Sequence, residues 1–249
     1  MNSPPDAVYA EVRDTDPDTL DSLERADHIL ALQDLARDEL PAALRERVVV
    51  IPQSSEPIDT PPAPVEDAFE VAVVGHLRNV KAPLLTAQAS RLLPDDSSVR
   101  VVHVGGVIDE DLAQRVQIES DENPRYTWLG RRDHDETREV IARARLLSHT
   151  SRAEGGANVI SEALVLRTPV VGTQIPGTVG MLGEDYPGYV PVDDVEALAD
   201  LLHRVETDET LRTDLEARCE AKRARYLPAS ERAAWSAFLA TWQAPTPLD

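Results

Sequence analysis

The chain has 249 residues, a formal net charge of -20 and one cysteine. That length allows one large domain or one and a half ordinary ones, enough to bury a real core. The acidity excludes a nucleic-acid or anionic-membrane surface, which needs a basic footprint, and Cys219 alone excludes an internal disulfide framework and fits a reducing compartment.

From the N-terminus, MNSPPDAVYAEV has neither the basic region nor the hydrophobic core of a signal peptide. No apolar run reaches membrane-spanning length, so the expected location is cytoplasmic. HILAL (28–32), a short helix DLARDEL (34–40) and RVVVIPQ (47–53) read as a strand–helix–strand piece too small to fold well alone. SSEPIDTPPAPVED (54–67) reads as a Pro-rich linker, with a boundary near residue 60.

From residue 69 onward, short apolar runs alternate with helical patterns. The runs are FEVAVVG (69–75), VRVVHVGG (99–106), RYTWLG (125–130), RLLSHTS (145–151), TPVVGT (168–173) and GYVPV (188–192). Rich in Val, Leu and aromatics and bounded by Gly, Pro or Asp, they predict buried strands. Helices are predicted near 82–92, 109–121, 134–143, 157–166 and 194–206, the last with Asp193 as N-cap. Strict alternation implies an α/β fold with a doubly wound, mostly parallel sheet. Two further helices follow, about 208–224 and 229–243, and the final one carries Trp235, Phe238, Leu239 and Trp242 on an apolar stripe that needs a packing partner.

In such sheets ligands bind beyond the carboxyl ends of the strands. After the first long strand comes GHLRNVK, with Gly75, His76, Arg78 and Lys81. Gly lets the backbone approach a ligand and a cation in a first helical turn can reach a phosphate, although taken alone the stretch reads equally as a solvated helix start. After the fourth comes SRAEGGANVISEAL: Ser151 ends the strand, Glu154, Gly155 and Gly156 form the turn, and the helix begins around Ala157 and Asn158. Its first free amides make an anion site. Glu162 lies about 6 Å further along the axis, too deep for a phosphate but placed to hold a ribose diol. Glu154 could accept from the hydroxyls of a sugar; the structural alternative is that Glu154 only favours the helix dipole and Glu162 pairs with an arginine. After the fifth strand, GTQIPGTVGMLGEDYPG is long and Gly-rich: Gly177, Gly180 and Gly183 can offer backbone amides at little steric cost, the alternative being an ordinary irregular crossover. His134 in RRDHDET reads as a solvated helix start with no second histidine at metal-ligand spacing.

SRAEGGANVISEALVLRTPVV resembles the Glu-x7-Glu segment of glycosyltransferase family 4, whose members have the two-domain GT-B fold. The resemblance covers residues 69–243 and implies a Rossmann-like C-terminal half of that fold. It implies donor-sugar contact for Glu154, ribose contact for Glu162 and diphosphate contact for Gly155 and Gly156. The family's Arg-x4-Lys phosphate pair falls on His76 and Lys81, so the Lys matches and the Arg does not.

GHLRNVKAP, EGGANVISEAL and GEDYPGYVPV together are similar to a narrower branch, the selenosugar synthases of selenoneine biosynthesis. That likeness begins near Tyr9 and implies transfer from a UDP-sugar, UDP-N-acetylglucosamine, to selenophosphate, with His76 and Arg78 on the donor phosphates or the anionic acceptor. Lys81, Arg78 and the amides from Gly155 to Asn158 would stabilise the leaving diphosphate, with no metal or other cofactor expected. Residues 1–58 then read as a remnant of an N-terminal GT-B domain, 59–226 as the nucleotide-sugar domain and 227–249 as the crossover helix and tail. A fragment, a misplaced start and a true half-protein all fit this division. Another family 4 acceptor and a catalytically silent nucleotide-sugar-binding half-domain are the alternative readings.

Overall fold

The computed structural model describes residues 16–241, so Tyr9 and Trp242 lie outside the described residues. Helix α1 (Pro17–Arg25) begins behind Asp16, whose carboxylate accepts from the Thr19 amide at 3.2 Å. Strands β1 (Ile29–Ala31) and β2 (Val48–Val50) pair in parallel, joined by a 3-10 turn (Asp34–Arg37) and the short helix α2 (Ala42–Arg45). The strand–helix–strand piece is therefore present, but the helix expected over 34–40 shrinks to that turn.

The main sheet holds β3 (Phe69–Val74), β4 (Val99–Val104), β5 (Tyr126–Trp128), β6 (Leu146–His149), β7 (Val170–Thr173) and β8 (Tyr189–Val190). All neighbours run parallel, in the order β5-β4-β3-β6-β7-β8. Strands covered on both faces read as continuous apolar runs, and β3 is buried at every position but its last. Its one charged residue, buried Glu70, accepts from Arg143 Nε at 2.7 Å, the partner that a buried carboxylate requires.

The helices are α3 (Leu85–Arg91), α4 (Glu110–Glu122), α5 (His134–Arg143), α6 (Asn158–Leu166), α7 (Pro176–Leu182), α8 (Val195–Thr207), α9 (Glu209–Arg223) and α10 (Pro228–Thr241). Helix α3 packs on α8, and α6 lies between α5 and α9. Helix α6 is apolar nearly all round because neighbours cover it on more than one side.

Two local expectations change. Asp193 adopts a left-handed backbone (φ 61°), so the cap of α8 passes to Asp194, which accepts from the Ala197 amide at 2.8 Å. The crossover after β7 is not irregular: Pro176 opens α7 at a first-turn position that does not need its missing N–H.

The C-terminal helix is tied back to the N-terminal piece. Phe238 meets the His28 ring edge-on with centroids 5.1 Å apart, and Glu231 accepts from the Ser54 amide at 2.8 Å. Ser55 N–H donates to Tyr226 O at 3.0 Å, so the start of the Pro-rich segment is strapped to the domain. Trp235 and Leu239 stay exposed. Among the described residues no helix is long and apolar enough to cross a membrane.

Candidate functional site

Chain order reverses between β3 and β6: from β3 the sheet grows toward β5, and from β6 toward β8. The loops leaving those two strands diverge, which opens a crevice at the switch point. There the structure has a cleft of about 390 Å³, within the range for small-molecule sites. Gly75, His76 and Lys81 from the β3 side and Asn158 and Glu162 from α6 line it, joined by Arg131, Arg132 and His134.

Buried groups behind the cleft hold the β3 turn. His103 is pushed down to about 4 by its burial, against the hydrogen bond to Gly75, so its ring is neutral. Its Nε2 is 3.1 Å from Gly75 O, which can only accept, and its Nδ1 is 2.7 Å from the Tyr126 hydroxyl. The proton therefore sits on Nε2, and Tyr126 donates to Nδ1. Gly75 N–H meanwhile donates to Val104 O at 2.9 Å. Both backbone groups of Gly75 are thus bonded within the protein, and the residue lines the cleft without a side chain. A Cβ on Gly105 would lie 1.9 Å from Gly75 O and 3.3 Å from His103 Nε2. Gly105→Ala should therefore lower stability by about 1–3 kcal/mol or more through this overpacking, read as a lower denaturation midpoint. An unchanged midpoint would remove the clasp.

The loops after β3 and β6 are laced together. Ala82 takes a left-handed turn (φ 42°), and the Thr150 hydroxyl lies 3.3 Å from Lys81 O and 3.2 Å from Ala82 O. Arg152 N–H donates to Val80 O at 2.8 Å. This brings Lys81 Nζ onto Glu154 Oε1, which also accepts from the Ser151 hydroxyl at 2.7 Å. His149 Nε2, buried and without a hydrogen-bond partner, stands 4.0 Å from the same oxygen. Burial works against ionising Glu154, but the hydrogen bonds from Lys81 and Ser151 outweigh it and hold its carboxyl below the ordinary value. Burial likewise depresses His149, more than Glu154 raises it.

The two depressed histidines set a pH dependence. Between about 6.5, where an unfolded imidazole titrates, and about 4, the unfolded chain binds the protons that folded His103 refuses, so stability falls as pH falls. The slope is about 1.4 kcal/mol per pH unit for each such histidine. Urea unfolding between pH 6.5 and 4.5, above the range where Glu154 titrates, should show it, and His103→Gln should flatten it. An unchanged slope in that variant would contradict a neutral, buried His103.

Helices α4, α5, α8 and α9 carry aspartate caps, whereas α6 follows Ala157 with no side-chain cap. Its first intrahelical bond runs from Ile160 N–H to Ala157 O at 2.9 Å, so the amides of Asn158 and Val159 begin the helix without an intrahelical partner. Both residues line the cleft. Ala157 N–H reaches the Met181 sulfur at 3.4 Å. Gly155 is exposed, while Gly156 packs under Leu32, where a Cβ would lie 2.6 Å from that side chain. Ser151 and Glu154 sit beside Lys81, and Arg78 is exposed and outside the cleft wall.

His134 is more than a solvated helix start: its Nε2 lies 3.1 Å from Glu162 Oε1, across the cleft mouth from α5 to α6. Asp133 caps α5 in a reciprocal capping box with Glu136, which aims the next residue, His134, at the cleft. Arg131 and Arg132 carried no signal in the sequence beyond being a basic pair. Among the described residues no group of three metal-ligating side chains is gathered.

Fold and site together define a doubly wound α/β domain whose ligand cleft opens between two glycine turns at the switch point. The chain belongs to the Glycosyl transferases group 1 family, which matches residues 54–222, and its six-stranded sheet is the Rossmann-like domain of the GT-B fold. Its fold is similar to that of Anabaena HepE in complex with UDP and glucose (TM-score 0.76, 18% identity, covering 89% of this chain and 65% of that one). It is also similar to a glycosyltransferase from Rickettsia africae (TM-score 0.67, 16% identity, 86% and 63% covered). A third similar structure is an S. aureus TarM variant in complex with fondaparinux, alpha-GlcNAc-glycerol and UDP (TM-score 0.68, 14% identity, 88% and 45% covered). The chain thus spans less than two thirds of the length of these proteins. No curated protein matches the sequence significantly.

Proposed function

We propose that the chain forms the donor side of a family 4 glycosyltransferase that takes a UDP-sugar, UDP-N-acetylglucosamine, and passes its sugar to selenophosphate to give a selenosugar. The observation that carries the donor half is the separation of two carboxylates around one uncapped helix start. Glu162 faces the cleft and is bonded to an exposed histidine that a ribose diol can displace, while Glu154 lies beside the cleft residue Lys81. Similar folds in complex with UDP and with UDP-glucose support the nucleotide class. The likeness of GHLRNVKAP and GEDYPGYVPV to the selenosugar synthases supports the acceptor.

In this reading the ribose hydroxyls donate to Glu162, a sugar hydroxyl donates to Glu154, and the diphosphate meets the first amides of α6. The anomeric C–O bond breaks with its electron pair moving to the β-phosphate oxygen, and a selenium lone pair forms the new C–Se bond. Lys81 and the α6 amides stabilise the developing charge, while Arg78, outside the cleft wall, is left to the anionic acceptor. The family likeness implies retention at the anomeric carbon.

Incubation with UDP-N-acetylglucosamine and selenophosphate tests this by mass spectrometry. Release of UDP together with a selenosugar is the expected result. Transfer to other acceptors only would overturn the selenophosphate assignment. UDP binding without turnover of any UDP-sugar would leave a nucleotide-sugar-binding half-domain.

A further inference from the structure

We propose that Arg131 is the cleft's phosphate-binding guanidinium, the charge that faces the diphosphate of a bound nucleotide; this rests on the UDP-sugar reading above. The cleft has few positive charges to offer in a chain of net charge -20; Glu162 lines it, and a second carboxylate, Glu154, takes up its lysine. Lys81 is ion-paired with Glu154. His76 Nδ1 accepts from Gly106 N–H at 3.0 Å, so its ring sits there as a neutral donor through Nε2. Arg132 donates to Arg131 O at 3.0 Å.

Arg131 differs from these. Its side chain is exposed at the cleft wall, and among the described residues its guanidinium has no hydrogen bond or ion pair. Arg131 and His76 both stand against Gly106: a Cβ built there would be in ordinary contact, 3.5 Å from Arg131 Cβ and 3.4 Å from His76 Nδ1. The arginine stem and the imidazole therefore flank one bare glycine, on the same side of the switch point as Lys81. A free, planar, permanently charged fork matches phosphate oxygens in pairs, which neither a neutral imidazole nor a paired ammonium can do.

The test is titration of the full chain with uridine, UMP and UDP by ligand-observed NMR, comparing Arg131→Met with wild type and with Arg115→Met. Met keeps an apolar stem, and Arg115 is an exposed arginine on α4 outside the cleft. The expected result is a loss of UDP affinity of about 10- to 100-fold in Arg131→Met, with uridine binding unchanged and Arg115→Met like wild type. UDP affinity equal to wild type in Arg131→Met, in a protein that does bind UDP, overturns the assignment of Arg131 alone. Equal losses for uridine and UDP also overturn it, since they report a damaged cleft and not a lost phosphate contact. Failure of the wild type to bind uridine, UMP or UDP overturns the UDP-sugar reading and this proposal with it.

Discussion

Glu162→Ala is expected to weaken UDP binding by about 10- to 100-fold, the cost of losing hydrogen bonds to a charged acceptor. Glu162 sits just past the first turn of α6 with its side chain only 15% exposed, and its Oε1 is bonded to an exposed imidazole. A carboxylate of this kind can exchange one partner for two ribose hydroxyls without leaving any buried group unsatisfied. For the same reason the substitution should change the unfolding midpoint little, because an exposed His–Glu contact is worth about 0–1 kcal/mol. Calorimetry with UDP on the two proteins measures the effect. Unchanged affinity would mean that Glu162 does no more than pair with His134.

Glu154→Gln should leave UDP affinity within a few fold and lower the rate of sugar transfer by about 10²- to 10³-fold, the range for losing one preorganised electrostatic group. Glu154 is not on the wall shared with Glu162; it is bonded to Lys81 and Ser151, with buried His149 at 4.0 Å. An amide keeps the shape but cannot hold the Lys81 charge in place, and it presents a weaker acceptor to a sugar hydroxyl. Initial rates and UDP calorimetry on one preparation separate the two effects. If both glutamate variants lost UDP affinity equally, the two carboxylates would not have separate partners.

Much of this was legible from the residues. The apolar runs around Val71, Val101, Leu147 and Val171 place the strands, and strand–helix alternation yields the parallel sheet. The positions that follow β3 and β6 supply Gly75, His76, Lys81, Asn158, Val159 and Glu162 to the cleft lining, because a doubly wound sheet leaves its crevice there. Gly105, Gly106, Arg131, Arg132, His134 and Thr137 come from the loops and helix beyond β4 and β5. What was not legible depends on contacts between distant residues. Lys81 and Glu154 are 73 residues apart, and His134 and Glu162 are 28 apart, so neither pairing leaves a local pattern.

Helix α7 was hidden by its own glycines. Gly177 and Gly180 weaken a helical pattern, yet a Cβ at the first would lie 2.1 Å from Glu154 O and at the second 1.8 Å from Gln33 Oε1. Tertiary packing, not helix propensity, selects glycine there. Gly75 was legible as a turn where the backbone can approach a ligand; that buried His103 and Val104 take both of its polar groups was not, since those bonds join distant strands.

The proposed function places a nucleoside diphosphate sugar in the cleft at the switch point between β3 and β6. Calorimetric titration of the full chain with UDP and UDP-N-acetylglucosamine tests it most directly. Saturable binding at one site is expected for both, weakened together by about 10- to 100-fold in Glu162→Ala. A cooperatively folded chain that binds neither ligand more tightly than about millimolar would contradict it.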